Sequence, residues 1–246
     1  MISSLQHTIV KKILKLKIDA SFRKSEGLCL LVSDKVIQEV APHKEIVTLF
    51  YKEGSQLHKV IPAKEKIAVS STILTKFLGY DSDDTLAAVM NISNEPSRIS
   101  APFLVLDSIQ DPGNLGTLLR SACAFGFKSV ALINGCCDLY NDKALKSARG
   151  ASFLINCFST DLSHIMSYIK SSASELYFAD MKGTPLRSCS FNSPFGIVLG
   201  NEGHGVSSSI KAIAKSIAIE MNPLSESLNV SIAGSILMYE ATRPPL

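Results

Sequence analysis

Three segments of the chain set polar and chargeable residues among glycines, each at the end of an apolar run. The first is Asp107–Gly126, DSIQDPGNLGTLLRSACAFG. Asp111-Pro112-Gly113 is turn chemistry. Asn114 then reads as the N-cap of a helix beginning near Leu115. Arg120 stands nearly two turns beyond Asn114, on roughly the same helix face. A polar cap and an arginine converging at a strand–helix junction suit a phosphate or another polar ligand. The second segment is Phe195–Ile210, FGIVLGNEGHGVSSSI, where Gly200, Gly203 and Gly205 surround Glu202 and expose backbone donors and acceptors. The third is Ile217–Arg243, in which Ser225, Glu226, Ser227 and Asn229 precede a helix that opens with small residues. Taken singly, each also fits a plainer reading: a capped helix with a surface arginine, a glycine turn, and an ordinary helix start.

These residues need elements to position them. After a polar, proline-bearing stretch at Asn91–Pro102, apolar runs alternate with helical patterns, the signature of a parallel sheet with crossover helices. The strands are expected at Phe103–Leu106, Ser129–Ile133, Leu154–Phe158, Leu176–Ala179, Phe195–Leu199 and Ile217–Ile219. Helices are expected at Leu115–Phe125, Lys143–Ala148, Leu162–Ser171, Ser208–Ala214 and Val230–Thr242. Ligands of such sheets bind beyond the carboxyl ends of the strands, where the three segments fall. The first part of the chain reads as a smaller α/β unit. Its first helix would be capped by Ser4 and run to about Lys17, strands would lie at Leu28–Ser33, Ile46–Phe50, Lys66–Val69 and Thr85–Ile92, and a helix capped by Ser71 or Thr72 would end at Gly79. The division is therefore 1–92, a linker 93–101, and 102–246.

In order along the chain, N-x-G-x-x-x-R at Asn114–Arg120, L-G-x-E-x-x-G at Leu199–Gly205 and S-L-N-V-S at Ser227–Ser231 resemble the three motifs of the SpoU (TrmH-like) RNA 2′-O-ribose methyltransferases of the SPOUT superfamily. The segment KSARGA at Lys146–Ala151 resembles a weaker family segment between the first two. Phe22–Val32 is similar, more loosely, to the start of the L30e-like substrate-binding domain that accompanies many of these enzymes, although Ser33-Asp34 replaces an expected second Glu-Gly.

The resemblance implies a Rossmann-like parallel sheet with a C-terminal trefoil knot, joined to an N-terminal α/β domain of L30e type. It implies S-adenosylmethionine as cofactor, held by Leu199, Gly200, Ile219, Met221 and Leu228. It casts Arg120 as the catalytic arginine, with Asn114, Glu202, Ser227 and Asn229 arranging the site, and a homodimer whose active site combines two subunits. In the third motif Glu220 stands where proline is common, and Asn222-Pro223 replaces a pair of small residues. The implied reaction is attack of a ribose oxygen on a sulfonium methyl. A guanidinium with a pKa above about 12 is a poor base at neutral pH. Arg120 is therefore expected to clamp a phosphate and stabilise developing alkoxide charge.

Composition limits the alternatives. The chain has 246 residues, 46% hydrophobic and 19% charged, which is globular. No apolar run reaches the roughly 18 residues of a membrane span, so no membrane association is expected. The net charge of +3 resides in residues 1–100, and residues 1–28 carry six basic side chains against two acidic ones. That excess suits a polyanion engaged mainly by the N-terminal part, or is simply a solvated helix face; the resemblance implies structured RNA as the partner, with ribosomal RNA of the large subunit ahead of transfer RNA. The lysines before residue 18 read as a basic amphipathic helix in preference to a transit peptide. Cys29, Cys123, Cys136, Cys137, Cys157 and Cys189 form no C-x-x-C pair, so free thiols in a reducing cytoplasm and no metal are expected. Of the five histidines only His204 lies within a motif, where it reads as a loop residue. Two other readings remain: a non-catalytic RNA-binding protein that keeps the fold, and another nucleotide-dependent enzyme. The second lacks any phosphate-binding fingerprint in the chain.

Overall fold

Apolar residues at helical and strand spacing place the elements in two units, each with its own core. The computed structural model describes residues 1–92 and 98–243. Of the expected linker 93–101, residues 93–97 lie outside the described residues. Residues 1–92 form one unit together with Tyr140–Leu154; residues 98–139 and 155–243 form the other. In chain order the elements begin with α1 (Thr8–Ile18), α2 (Ala20–Glu26), β1 (Leu28–Val32), α3 (Asp34–Val40), β2 (Ile46–Lys52), β3 (Glu65–Val69), α4 (Ser71–Leu78) and β4 (Leu86–Asn91). There follow β5 (Phe103–Asp107), α5 (Pro112–Ala124), β6 (Ser129–Ile133), α6 (Asp142–Ala148), α7 (Ala151–Leu154), β7 (Asn156–Ser159) and α8 (Leu162–Ser172). The last are β8 (Glu175–Pro185), β9 (Phe195–Gly200), α9 (Ser208–Lys211), β10 (Lys215–Ala218) and α10 (Val230–Thr242).

The first unit is built on a four-stranded sheet of order β1-β4-β2-β3, with β2 and β3 parallel and the other pairs antiparallel. Val10, Ile13 and Leu16 of α1 and Ile73, Leu74 and Phe77 of α4 are buried against Leu30, Val32, Phe50 and Val89. Two helix caps differ from expectation: Ser70, not Ser71 or Thr72, caps α4 by accepting from the Ile73 N–H at 3.4 Å, and His7 takes the place of Ser4 at α1. Ser4 shapes the preceding turn, accepting from the Gln6 N–H, while the His7 ring nitrogen accepts from the Ile9 N–H at 3.2 Å and caps α1. Helix α2 escapes the sequence pattern because it is short. Asp19 ends α1 and caps α2 by accepting from the Phe22 N–H at 2.9 Å, and Gly27, at φ 65°, stops it. The buried Arg23 turns back and donates to the Leu16 and Lys17 carbonyls, which the end of α1 leaves without partners.

The second unit is a six-stranded, wholly parallel sheet of order β10-β8-β9-β5-β6-β7. The chain enters at β5, proceeds outward through β6 and β7, then returns to fill the other side. β5 and β9 thus flank the point where the order reverses, the place where open parallel sheets bind ligands. Phe103, Val105, Val198 and Phe178 form a core with Ile165 of α8 and Ile210 of α9. Helices α5 and α10 pack together, and α10 packs on β9. Several bounds depart from expectation, among them β10, which runs over Lys215–Ala218 and not Ile217–Ile219, and α9, which stops at Lys211 short of Ala214. Arg149 and Gly150, both with positive φ, end α6, and a further helical turn, α7, takes Leu154 out of the expected strand. β8 extends beyond Ala179 because β10 rejoins it farther on. Pairing jumps from Ser216↔Phe178 to Ile217↔Thr184, so residues 179–183 arch out of the ladder.

Glycines mark where backbones meet. A Cβ on Gly183 would lie 2.6 Å from the backbone of Ser216 and Ile217, and one on Gly200 would lie 2.2 Å from the Gly205 carbonyl carbon. Neither neighbour can rotate away. Gly183→Ala and Gly200→Ala are each expected to lower unfolding free energy by about 1–3 kcal/mol in chemical denaturation. At Gly203 the nearest atom to an added Cβ is 3.5 Å away, so Gly203→Ala should unfold like the parent. Equal stability of all three variants would show that these crossings are loose.

Candidate active site

The loops that follow β5, β9 and β10, together with the arch within β8, gather at the carboxyl edge of the sheet. Asp107, the last residue of β5, aligns with Ile133 of β6 and Gly200 of β9. It is 1% exposed, and a carboxylate so placed needs partners. Asn134 Nδ2 donates to it at 2.7 Å, and the Ser207 N–H donates to its other oxygen at 2.7 Å. Asp107 therefore ties the ends of two strands to the glycine-bearing loop. Its one signal in the sequence is an aspartate that closes a fully apolar strand.

Helix α5 starts three residues earlier than expected. Asp111 is its N-cap and accepts from the Asn114 N–H at 2.9 Å, with Pro112 in the first turn. This corrects the assignment of Asn114 as the cap, and its consequence is chemical. The Asn114 side chain is released from capping and reaches two other loops. Its Nδ2 donates to Glu202 Oε1 at 2.7 Å, and its Oδ1 accepts from Asn229 Nδ2 at 3.0 Å. Asn229 Oδ1 in turn accepts from the Ser231 N–H and the Ser231 hydroxyl, at 2.9 and 2.6 Å, and so caps α10.

Asn201 shapes the loop after β9. Its backbone exchanges two hydrogen bonds with Gly205, at 3.0 and 2.8 Å. Its side-chain oxygen accepts from the N–H groups of Gly203 and His204, and its amide donates to the Ser108 carbonyl at 3.0 Å. Asn201 stands at a variable position of the second motif and drew no attention in the sequence.

Beside this network lies a cavity of about 400 Å³. Ile217, Ile219, Met221, Leu228 and Ala233 give it apolar surface, while Glu202 and Ser227 bring polar groups to it. The arch contributes Ala179, Asp180, Met181 and Lys182, which sequence analysis did not nominate. Five of the nominated residues, Ile219, Met221, Leu228, Glu202 and Ser227, thus share one cavity wall. Leu199 and Gly200 do not line it. Leu199 is 1% exposed and lies under Gly234 of α10, and Gly200 faces the backbone of Gly205 and Val206. Arg120 is exposed on α5, and its guanidinium makes no hydrogen bond or ion pair among the described residues. The cysteines near the first loop are poor nucleophiles. Burial raises Cys136, and burial with the nearby acidic groups pushes Cys137 up to about 11, so both remain thiols at neutral pH.

The Asn114 amide also carries a pH signature. Asn114→Asp would oppose two carboxylates, raising the pKa of one of them above its unfolded value. Stability from that pair is present at low pH and is lost as pH rises through the raised pKa. In denaturant titrations Asn114→Asp should be less stable than Asn114→Ala by about 1 kcal/mol at pH 8, with the gap closing near pH 4. A gap independent of pH would mean that Glu202 does not face this side chain.

Comparison with known proteins follows the same geometry. The profile of the SpoU rRNA Methylase family matches residues 101–239. The 23S rRNA (guanosine(2553)-2′-O)-methyltransferase RlmP of Bacillus subtilis is 33% identical over 156 residues, 63% of this chain and 63% of that protein. The rRNA methyltransferase 3 of human mitochondria is 24% identical over 290 aligned positions, covering 90% of this chain and 69% of the relative. Among solved structures, the SpoU methyltransferase AviRb from Streptomyces viridochromogenes, in complex with AdoMet, superposes with a TM-score of 0.86 at 21% identity, covering 96% of this chain and 97% of that one. That likeness concerns the fold. With the profile spanning more than half of its residues and all three loops of the site, the chain belongs to the SpoU rRNA Methylase family.

Proposed function

We propose that the protein transfers a methyl group from S-adenosylmethionine to a ribose 2′-hydroxyl of ribosomal RNA. The observation that carries this reading is the relay from Glu202 through Asn114 and Asn229 to α10, set beside a cavity with apolar walls. The cavity suits the group: a volume of about 400 Å³ lies in the range of small-ligand sites, and Ile219, Met221 and Leu228 can sandwich an adenine. Once bound, S-adenosylmethionine supplies an electrophilic methyl on a sulfonium centre. The apolar wall excludes water and favours a step in which positive charge disappears. Arg120, held charged, clamps the phosphate next to the target ribose and stabilises the alkoxide as its proton leaves.

Arg120 is exposed on α5 and has no partner among the described residues, which supports a homodimer in which this arginine serves the partner's cavity. α10 supports the same assembly, because Ile232 and Tyr239 lie seven residues apart and are 52% and 51% exposed. The knot is part of the proposal as well. Helix α10 follows the edge strand β10 yet packs on β9 and α5, and the crossings at Gly200 and Gly234 are tight. Residues 1–92 would hold the RNA as an L30e-like domain, with Lys11, Lys12, Lys15 and Lys24 exposed on its first two helices. The names of the relatives support ribosomal RNA as the target. All six cysteines are free, which supports a reducing compartment such as the cytoplasm.

Mapping 2′-O-methyl positions in total RNA with and without the gene should reveal one or a few lost sites in large-subunit rRNA. A loss confined to transfer RNA would redirect the substrate assignment, and no loss together with no S-adenosylmethionine binding would leave an RNA-binding protein. For the arginine, Arg120→Lys keeps the charge but loses the bidentate fork. Its turnover should fall by about 10²-fold or more with cofactor affinity unchanged; wild-type turnover would rule out the clamp.

A further inference from the structure

The cavity carries two positive charges that the chain leaves unanswered. Lys182, on the arch between β8 and β10, and Lys211, the last residue of α9, both line it. Neither ammonium group makes a hydrogen bond or ion pair with any described residue. Elsewhere on the surface, lysines near an acid pair with it, as Lys64 does with Glu45 and Lys146 with Asp142. Here two acids share the same wall without taking either lysine. Glu202 is occupied by the Asn114 amide, and Asp180 accepts from the backbone N–H of Lys182 at 2.9 Å. His204 completes the polar rim, and Ile217, Ile219, Met221, Leu228 and Ala233 form the apolar part. The cavity is therefore apolar over one portion, and over the other it sets two ammonium groups without partners among the described residues beside two carboxylates that accept from other donors.

We propose that Lys182 and Lys211 bind the α-carboxylate of the donor's amino-acid tail, a reading that rests on the donor pocket proposed above. An adenosine moiety carries no charge and suits the apolar residues. The amino-acid end of the donor is a zwitterion, the only part of the molecule that presents an anion. Two unpaired ammonium groups supply charge-assisted donors for that anion. Asp180 in the same rim favours a ligand that brings its own ammonium group over a bare phosphate, which it would repel. Both lysines are exposed, so their contribution is screened by salt.

The test compares two ligands that share the nucleoside and thioether and differ in the tail: S-adenosylhomocysteine and 5′-methylthioadenosine. Their affinities are measured by calorimetry for the parent protein, Lys182→Ala, Lys211→Ala and the double variant, at low and high salt. The double variant should lose about tenfold in S-adenosylhomocysteine affinity at low salt, less at high salt, with 5′-methylthioadenosine unchanged. Because both side chains are exposed, melting temperatures should stay at the parent value. Equal weakening of both ligands would overturn the proposal, as would unchanged S-adenosylhomocysteine binding with reduced RNA affinity and a shallower salt slope, which would assign the lysines to RNA phosphate. A parent protein that binds neither nucleoside would sink the donor pocket itself, and this inference with it.

Discussion

A carboxylate can only accept hydrogen bonds when ionised, and that one restriction sets the direction of the whole relay at the sheet edge. Glu202 must be met by a donor, so Asn114 turns its amide nitrogen toward it and leaves its oxygen for Asn229. Asn229 must then present its nitrogen, which leaves its oxygen to cap α10 through Ser231. Each amide has one orientation that satisfies both neighbours. Three segments separated by 88 and 115 residues are thereby held in a single arrangement. Individually such bonds are modest, about 0.5–1.5 kcal/mol, and more where a charge takes part. Their value lies in removing alternatives, because a flipped amide would face acceptor with acceptor.

Close packing makes that relay geometrically possible. Gly234 lets α10 settle onto Leu199 and Leu118, where an added Cβ would come within 2.5 Å of either side chain. The Ser121 and Ser235 hydroxyls, 2.7 Å apart, join α5 to α10 one helical turn farther along. With α10 seated so low, its N-terminus arrives beside Asn114. Gly200 performs the matching task for the loop after β9, which folds back over the strand it has just left. The glycines of the second motif thus serve the chain before they serve a ligand. Asp107 and Asn201, both outside the motif pattern, hold the same loop from beneath.

The site is then a division of labour between burial and exposure. Apolar residues beyond β10 and at the head of α10 provide a dry wall, which suits chemistry that extinguishes a positive charge. The polar relay borders that wall without entering it. Arg120 sits apart, exposed on α5 and without a hydrogen bond or ion pair among the described residues. An arginine paired within its own chain would have to break that pair first. In the proposed function that freedom leaves the guanidinium for an external phosphate.

Much of this was legible in the residues alone. Strand β6 and helix α10 have the limits that their apolar patterns require, and β5, β6 and β9 each arise from an apolar run, because burial on both faces of a parallel sheet leaves no other composition, whereas the edge strands β7 and β10 carry polar residues. The three loops stood out through Asn, Glu, Gly and Ser at fixed spacing. Local signals misled where two polar residues competed for one task. Asp111 and Asn114 could each cap α5, and only the fold shows that Asn114 is needed elsewhere. The arch at 179–183 was invisible because strand length depends on where β10 rejoins β8, a pairing set by residues 215–218. Lys182 and Lys211 carry no signal in the sequence, because their shared cavity and their lack of partners among the described residues exist only in the fold. The chain by itself determined which elements form and which residues are chemically capable. Tertiary structure decided which of them meet, since close backbone crossings and hydrogen bonds between residues as far apart as Asn114 and Asn229 leave no periodic trace.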